Sequence, residues 1–362
     1  MRFMTRKTLQ FGSAVALCLA LVAFGPAEAQ TPTQFDKRAV ADFYRGNTIR
    51  LTVGTAPGAS WDRLARLLAR ILPKHLPGSP TIIVENLTAA GGLVAANQLY
   101  NNSPKDGTAI ATFVPSFALD QLLGREGVMF DITKFNFLGS LQSSTVACYA
   151  MARTHVKTPA DLRAPGVREL RMGSLGPGVG GHDYMLIMRE VGFPLRLVTG
   201  YTGAQPIFLA MEQGEIDGTC LTWEGTRTTR PDLFEGANPK AVQWVQFGRA
   251  RSPDLKNVTL IDEMLTSDTH KAMFRVLASQ EVIQRLFALP PGVPADRVAA
   301  LRAAFAETTK DPEFLSAAKK SRDLISAKTG DEVEQVIQQV LQVPKPLVDE
   351  MRRILRPTSA KH

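Results

Sequence analysis

The sequence predicts an α/β protein built as two lobes. Two observations carry that expectation. Short apolar or β-branched runs alternate with amphipathic helical stretches along most of the chain. The order strand, glycine-rich loop, helix also occurs twice, at Leu51–Leu72 and at Leu170–Val191. Alternation in this rhythm argues for mainly parallel sheets flanked by helices. In such sheets ligands sit beyond the carboxyl ends of strands, near helix N-termini. Two such ends facing each other make a cleft. A length of 362 residues favours roughly two domains and leaves enough chain for a core in each.

Taken in order, Arg2, Arg6 and Lys7 precede an apolar run from Phe11 to Phe24, and Ala27-Glu28-Ala29 has the A-x-A form of a cleavage site. This is the pattern of a secretory signal peptide over residues 1–29. The apolar run is shorter than the roughly 20 residues of a membrane span. Ile49–Val53 reads as a strand, Asp62–Leu72 as a helix, Thr81–Val84 as a strand, Gly92–Asn101 as a helix and Thr108–Val114 as a strand. Thr145–Met151 is a strand, followed by a helix start at Thr158-Pro159-Ala160-Asp161. Leu170–Gly173 leads through the second glycine-rich loop to the helix His182–Val191, then the strand Leu195–Val198. Ala204–Gln213 is helical and stops at Gly214, and Ile216–Leu221 and Ala241–Phe247 are strands. Residues 261–287 and 296–356 read as mostly helical, with a break at Pro290-Pro291-Gly292-Val293-Pro294. The lobes are expected to comprise residues 31–148 with 248–362, and residues 149–247.

Composition narrows the function classes. Hydrophobic residues are 44% and charged residues 21%, ordinary for a soluble globular protein. Loss of residues 1–29 removes three basic residues and one acidic one, lowering the formal net charge from +8 to +6. The positive charge is spread along the chain without basic–aromatic interleaving, so no nucleic-acid partner is expected. Of the three cysteines, Cys148 and Cys220 lie beyond the leader; they are free to pair in an oxidising compartment or to be separately buried. The five histidines, at 75, 155, 182, 270 and 362, lack ligand spacing, and no metal or cofactor is expected.

The first loop, VGTAPGASWDRLAR, is the most informative stretch. Leu64, Leu67, Leu68, Ile71 and Leu72 make one helix face, while Arg63, Arg66, Arg70 and Lys74 make the other. Ser60 is expected as the N-cap, with Asp62 at the positive end of the helix dipole. A helix N-terminus of this kind is an anion socket. The phosphate-binding GxxxxGK[ST], the dinucleotide GxGxxG and the nucleophile G-x-S-x-G patterns are all missing here. A carboxylate is the anion left, since it needs neither lysine nor metal. Trp61 stands at the loop–helix junction, with pocket wall and core both open to it.

Several segments together resemble the Bug/TctC family, the extracytoplasmic solute-binding proteins of tripartite tricarboxylate transporters. TAPGASWDRLAR at Thr55–Arg66 is similar to the family's P-P-G-G-S/T-x-D-x-x-A-R, and VENLTAAGG at Val84–Gly92 to V-E-N-x-x-G-A-G-G. PKDGTAIA at Pro104–Ala111 is similar to its P-D-G-Y-T-L strand entry, and GSLGPGVGGH at Gly173–His182 to G-S-x-G-x-G-S-x-x-H. GYTG at 200–203, AMEQGEID at 210–217 and the segment from Leu289 to Val298 follow in the family's order. The resemblance implies a two-lobed periplasmic binding protein of type II-like fold, each lobe a mixed sheet flanked by helices, joined by a two-strand hinge. It also implies a small organic acid as ligand and the membrane permease subunits of a tripartite transporter as partners, with the binding protein itself a monomer and not an enzyme. Carried over by position, it places Gly58, Ala59, Ser60, Trp61, Asp62, Gly91 and Gly92 on one side of the ligand. Ser174, Gly176, Gly178, His182, Tyr201, Thr202 and Gly203 lie on the other, with Pro115 and Ser116 following a strand end nearby.

The departures bear on the ligand. Ala56 and Ala59 replace the usual Pro and Gly, Trp61 replaces a small residue, and Gly180-Gly181 weakens the serine position of the second loop. Thr222-Trp223-Glu224 is a second bulky departure near the cleft. Two tryptophans, Trp61 and Trp223, suit a flat or apolar acid, and Glu224 disfavours a second carboxylate unless it pairs with Arg227. A periplasmic sensor serving a membrane signalling partner is the alternative reading, and an exported hydrolase a remote one, since no nucleophile–base pair is evident.

Overall fold

The computed structural model describes residues 35–178 and 181–355. The expected signal peptide lies outside these residues, as does Gly180. Up to the first sheet change the elements are α1 (Lys37–Tyr44), β1 (Thr48–Val53), α2 (Ser60–Ile71), β2 (Thr81–Asn86), α3 (Leu93–Asn101), β3 (Ala109–Phe113), α4 (Phe117–Leu122) and β4 (Asn136–Gln142). Then come β5 (Val146–Met151), β6 (Leu170–Gly173), α5 (His182–Glu190), β7 (Leu195–Val198), α6 (Ala204–Gln213), β8 (Gly218–Thr222), α7 (Trp223–Thr229) and β9 (Ala241–Phe247). The chain finishes with α8 (Asp268–Glu281), β10 (Gln284–Leu289), α9 (Ala295–Thr308), α10 (Pro312–Lys320), β11 (Lys328–Thr329), α11 (Gly330–Leu341) and α12 (Lys345–Leu355).

These strands form two mixed sheets, ordered β11-β4-β10-β3-β1-β2 and β7-β6-β8-β5-β9. Each holds a parallel trio: β2, β1 and β3 in the first and β7, β6 and β8 in the second. The remaining pairs are antiparallel, so the mainly parallel sheets suggested by the alternation give way to mixed ones. The chain passes from the first sheet to the second between Gln142 and Val146 and returns after Phe247.

Three apolar clusters fill the molecule. One lies between the first sheet and α2, α9 and α10, with Leu64, Leu68, Ile71, Phe287, Phe305 and Phe314. Another covers one face of the second sheet, with Tyr149, Ile207, Phe208 and Trp223. The largest runs across both sheets, from Phe113, Phe117 and Phe135 to Tyr184, Trp244 and Phe247, and takes in Phe274 of α8 and Met351 of α12.

Two expectations are corrected. Residues 261–287 are not one helical stretch, because α8 ends at Glu281 and Gln284–Leu289 is a central strand. Both faces of that strand are covered, so its apolar run carries no alternation to tell it from a helix. Ser60 is the first residue of α2 rather than its cap; the N-cap is Ala59, which makes no side-chain cap bond. The cysteines left open above are disulfide-bonded, Cys148 to Cys220, at directly opposed positions of β5 and β8. No helix among the described residues is long and apolar enough to cross a membrane.

Candidate functional site

The first loop is held by one carboxylate. Asp62 accepts from the Gly58 N–H at 2.8 Å, from Arg66 Nε at 2.9 Å and from Asn86 Nδ2 at 2.8 Å. Asn86 also donates to the Thr55 carbonyl and accepts from Arg66, so the end of β2 is stitched to the loop after β1. Burial pushes the Asp62 carboxyl up, but the bonds from Arg66, Gly58 and Asn86 outweigh it and hold it below the usual carboxylate range. Asp62 is therefore the loop's internal anchor. Gly58, at φ +78°, and Ala59 are exposed at the loop's edge.

The turn before α3 packs against the same loop. Gly92, at φ +88°, lies so near Gly54 that a Cβ on it would fall 2.6 Å from the Gly54 carbonyl oxygen. Close backbone contact of this kind leaves room only for glycine.

The second loop is organised by Ser174, which meets His182 Nδ1 at 2.6 Å and accepts from the Gly176 N–H at 3.2 Å. The Gly178 N–H donates to Asp183 at 3.1 Å. Ser174 and His182 are both buried, and their bond ties the loop to the first turn of α5. Gly181 sits against Cys220, where a Cβ would overlap the cysteine's own Cβ.

Two cavities collect six of the seventeen sequence-predicted residues. One, of about 290 Å³, is lined by Trp61, Gly91, Pro115, Ser116 and Gly178, with Phe117, Arg125, Tyr184, Glu281 and Arg285 among its other walls. A neighbour of about 220 Å³ is bordered by Ser60, Arg63, Glu224 and Asp323, and shares Thr222 and Arg285 with the first. Tyr201, Thr202 and Gly203 stand away from these cavities before α6, with Tyr201 packed on the second-sheet cluster. Trp223 is buried in that cluster against Tyr149 and Phe234. Glu224 makes no ion pair with Arg227, the condition under which it would tolerate a second carboxylate: Arg227 bridges Asp254 at 2.8 Å, and Glu224 accepts from the Thr145 N–H at 2.9 Å. Burial raises the Glu224 carboxyl above its usual range. A larger groove of about 800 Å³ runs along Ser143–Thr145 and Gly248–Asp254; Glu224 borders it, but none of the residues placed at the ligand from sequence does.

Arg285 and Tyr184 are the residues sequence reading missed. Arg285 lies in β10, inside a segment read as helix, and Tyr184 sits two residues beyond the last motif position, His182. The guanidinium of Arg285 lies over the Trp61 ring, 4.2 Å from its centroid, and donates to Ser60 Oγ at 3.3 Å. Such a stack needs both partners in place, which a scan for loop motifs does not test.

No family profile and no curated protein matches the chain. Solved structures do. A TctC solute binding protein from Polaromonas, without ligand, superposes with a TM-score of 0.65 at 19% identity, over 84% of this chain and 98% of that one. MatC from Rhodopseudomonas palustris with bound malate gives 0.57 at 20% identity, over 83% and 98%. A second R. palustris protein, with adipate, gives 0.59 at 17% identity, over 85% and 98%. The chain shares the fold of these three across nearly their whole length.

Proposed function

We propose that the protein is a periplasmic solute-binding protein of the Bug/TctC type, which captures a small carboxylate-bearing ligand between two lobes and passes it to the permease subunits of a tripartite transporter. The observation that carries this reading is the convergence of three loop ends on one cavity. Trp61 of the first loop, Gly91 before α3 and Gly178 of the second loop come together there with Pro115 and Ser116 after β3. Backbone N–H groups at helix N-termini favour an anion at such a place. The malate and adipate of the structural neighbours are anions of this class. The reading makes the protein a carrier and not an enzyme.

The lobes follow the two sheets, with crossings at Ser143–Thr145 and after Phe247 acting as the hinge. α8 and α12 pack on α5, which favours grouping them with the second sheet rather than with residues 31–148, although α8 also packs on α11 beside β4. Closure of such lobes over a ligand is a hinge motion.

A thermal-shift screen of the purified mature protein against malate, adipate, benzoate, hexanoate and neutral sugars tests the reading, since a ligand of the native state raises the melting temperature. At least one acid is expected to stabilise the protein while the sugars do not. Stabilisation by sugars alone would overturn the assignment.

A further inference from the structure

Among the buried side-chain atoms without a hydrogen-bond partner, which also include Trp223 Nε1 and Trp244 Nε1, three belong to residues on the wall of the 290 Å³ cavity: Arg285 Nε, Tyr184 Oη and Trp61 Nε1. Buried donors are nearly always hydrogen-bonded, and three open ones gathered on residues of one cavity wall are where a ligand's acceptors would count most. Tyr184 is only 2% exposed, held between Phe247 and Phe274, and cannot turn elsewhere for a partner.

Arg285 is the unusual member. It occupies β10 at φ +57°, a left-handed backbone that is strained for a non-glycine residue and persists where the surroundings require it. Among the described residues it forms no salt bridge. The carboxylates facing it are bound to other groups: Asp323 to Arg63 at 3.2 Å and Ser60 at 3.0 Å, Glu281 to Ser144 at 2.6 Å and Gln284 at 3.1 Å, and Glu224 to the Thr145 N–H. A desolvated cation without a counter-ion is costly, and a ligand anion removes that cost. Burial, with the Arg63 charge adding to it, pushes the guanidinium down to about 10, and the charges of Asp323, Glu281 and Glu224 only partly oppose this.

Resting on the reading that the cavity binds an organic acid, we propose that Arg285 is the charge anchor and specificity determinant of the site. The ligand's carboxylate pairs with the guanidinium and accepts from Tyr184 Oη, while an apolar or aromatic body lies along Phe117 and Leu277. One carboxylate is the limit. Among the described residues of the wall the only other cation, Arg125, is already paired with Asp120 at 2.8 Å, and the remaining charged ones, Asp183 and Glu281, are acidic. The ligand class is a monocarboxylate with an apolar body, distinct from the dicarboxylates held by the structural neighbours.

Calorimetry on the mature protein with hexanoate, benzoate, adipate and malate, and with hexanamide and benzamide as neutral isosteres, tests this. The wild-type protein is expected to bind a monocarboxylate at least about 30-fold more tightly than its amide, the scale of a desolvated charge pair. Arg285→Gln is expected to collapse that ratio to within about threefold, Arg285→Lys to restore part of it, and Tyr184→Phe to weaken acid binding without abolishing the ratio. The wild-type acid-to-amide ratio reads the need for charge even if Arg285→Gln fails to fold. If monocarboxylates bind and their affinity survives Arg285→Gln, the anchor assignment is wrong while the solute-binding reading stands. Tighter binding of adipate or malate than of hexanoate and benzoate overturns the one-carboxylate limit. If none of the four acids binds the wild type, both the anchor and the carboxylate reading fall.

Discussion

Trp61 and Trp223 were interchangeable as sequence features, two large aromatics beside expected cleft loops, yet their surroundings differ. Trp223 is 8% exposed and packed against Tyr149 and Phe234. Trp61 is half-buried, borders the cavity and carries Arg285 on its face. Trp223→Ala is therefore expected to cost about 3–5 kcal/mol in urea unfolding without ligand. Trp61→Ala should cost no more than about 2 kcal/mol and instead weaken binding of the acid that the screen selects. Equal stability losses with unchanged affinity in both would contradict the division. Asp62 shows a similar reassignment. It looked like a ligand-side residue at a helix start, but its carboxylate is consumed by Gly58, Arg66 and Asn86. Asp62→Ala should lower unfolding stability by about 1–3 kcal/mol through the donors it strands. Because the carboxyl is held low in the fold, that stabilisation is present above its usual pKa and lost as pH falls through the lower folded value.

At the scale of elements, the second loop depends on the β5–β8 pair beneath it. The Cys148–Cys220 bridge joins opposed residues 72 positions apart in sequence, and the Gly181 N–H donates to the Cys220 carbonyl at 3.0 Å. The floor of α5's N-terminus is thus the strand that carries the disulfide. The double variant Cys148→Ser, Cys220→Ser is expected to lose about 2–5 kcal/mol in denaturant unfolding. Gly181→Ala should weaken acid binding by displacing α5 and the loop before it. A melting curve unchanged by reductant would show that the bridge contributes little. The missed strand β10 belongs to this scale too. Its position between β3 and β4 in the first sheet puts Arg285 at the cavity, which no local pattern in the sequence announces.

Across the whole molecule, the passage between sheets concentrates buried acids. Glu281 is raised from the ordinary 4.5 to about 7, first by burial, with the Glu224 charge adding to it and bonds from Ser144 and Gln284 opposing. An acid whose folded pKa lies above its unfolded one binds its proton more readily in the native state. Stability contributed by the protonated form is full below about 4.5 and is lost as pH rises through about 7. Melting temperature is therefore expected to fall between those values, and Glu281→Gln to flatten that segment of the profile. A profile that keeps its slope in the variant assigns the titration to other groups. Lobe closure is tested by small-angle scattering: a bound acid should reduce the radius of gyration, and an unchanged radius at saturation would remove the support for a closing hinge.

The alternation of strands and helices, the two glycine-rich loops and most helix limits were legible because they rest on local physics. Gly214 ends α6 at φ +80° where the sequence placed a stop, and Ala204–Gln213 is that helix in full. Neighbouring residues impose such features whatever the rest of the chain does. The loops' meeting at one cavity was an inference from order and resemblance, and only packing shows which of their residues reach it. Trp61, Gly91 and Gly178 do, while Tyr201 and Trp223 stand elsewhere. Tertiary structure alone decided the disulfide, the burial of Tyr184 and the approach of Arg285 to a tryptophan 224 positions earlier, a contact between elements far apart in the chain. Sequence by itself determined most of the elements, β10 excepted, because they rest on local pattern. Arg285, the cation beside Trp61 at the cavity, comes from a distant strand, and distance along the chain hides it from any local pattern.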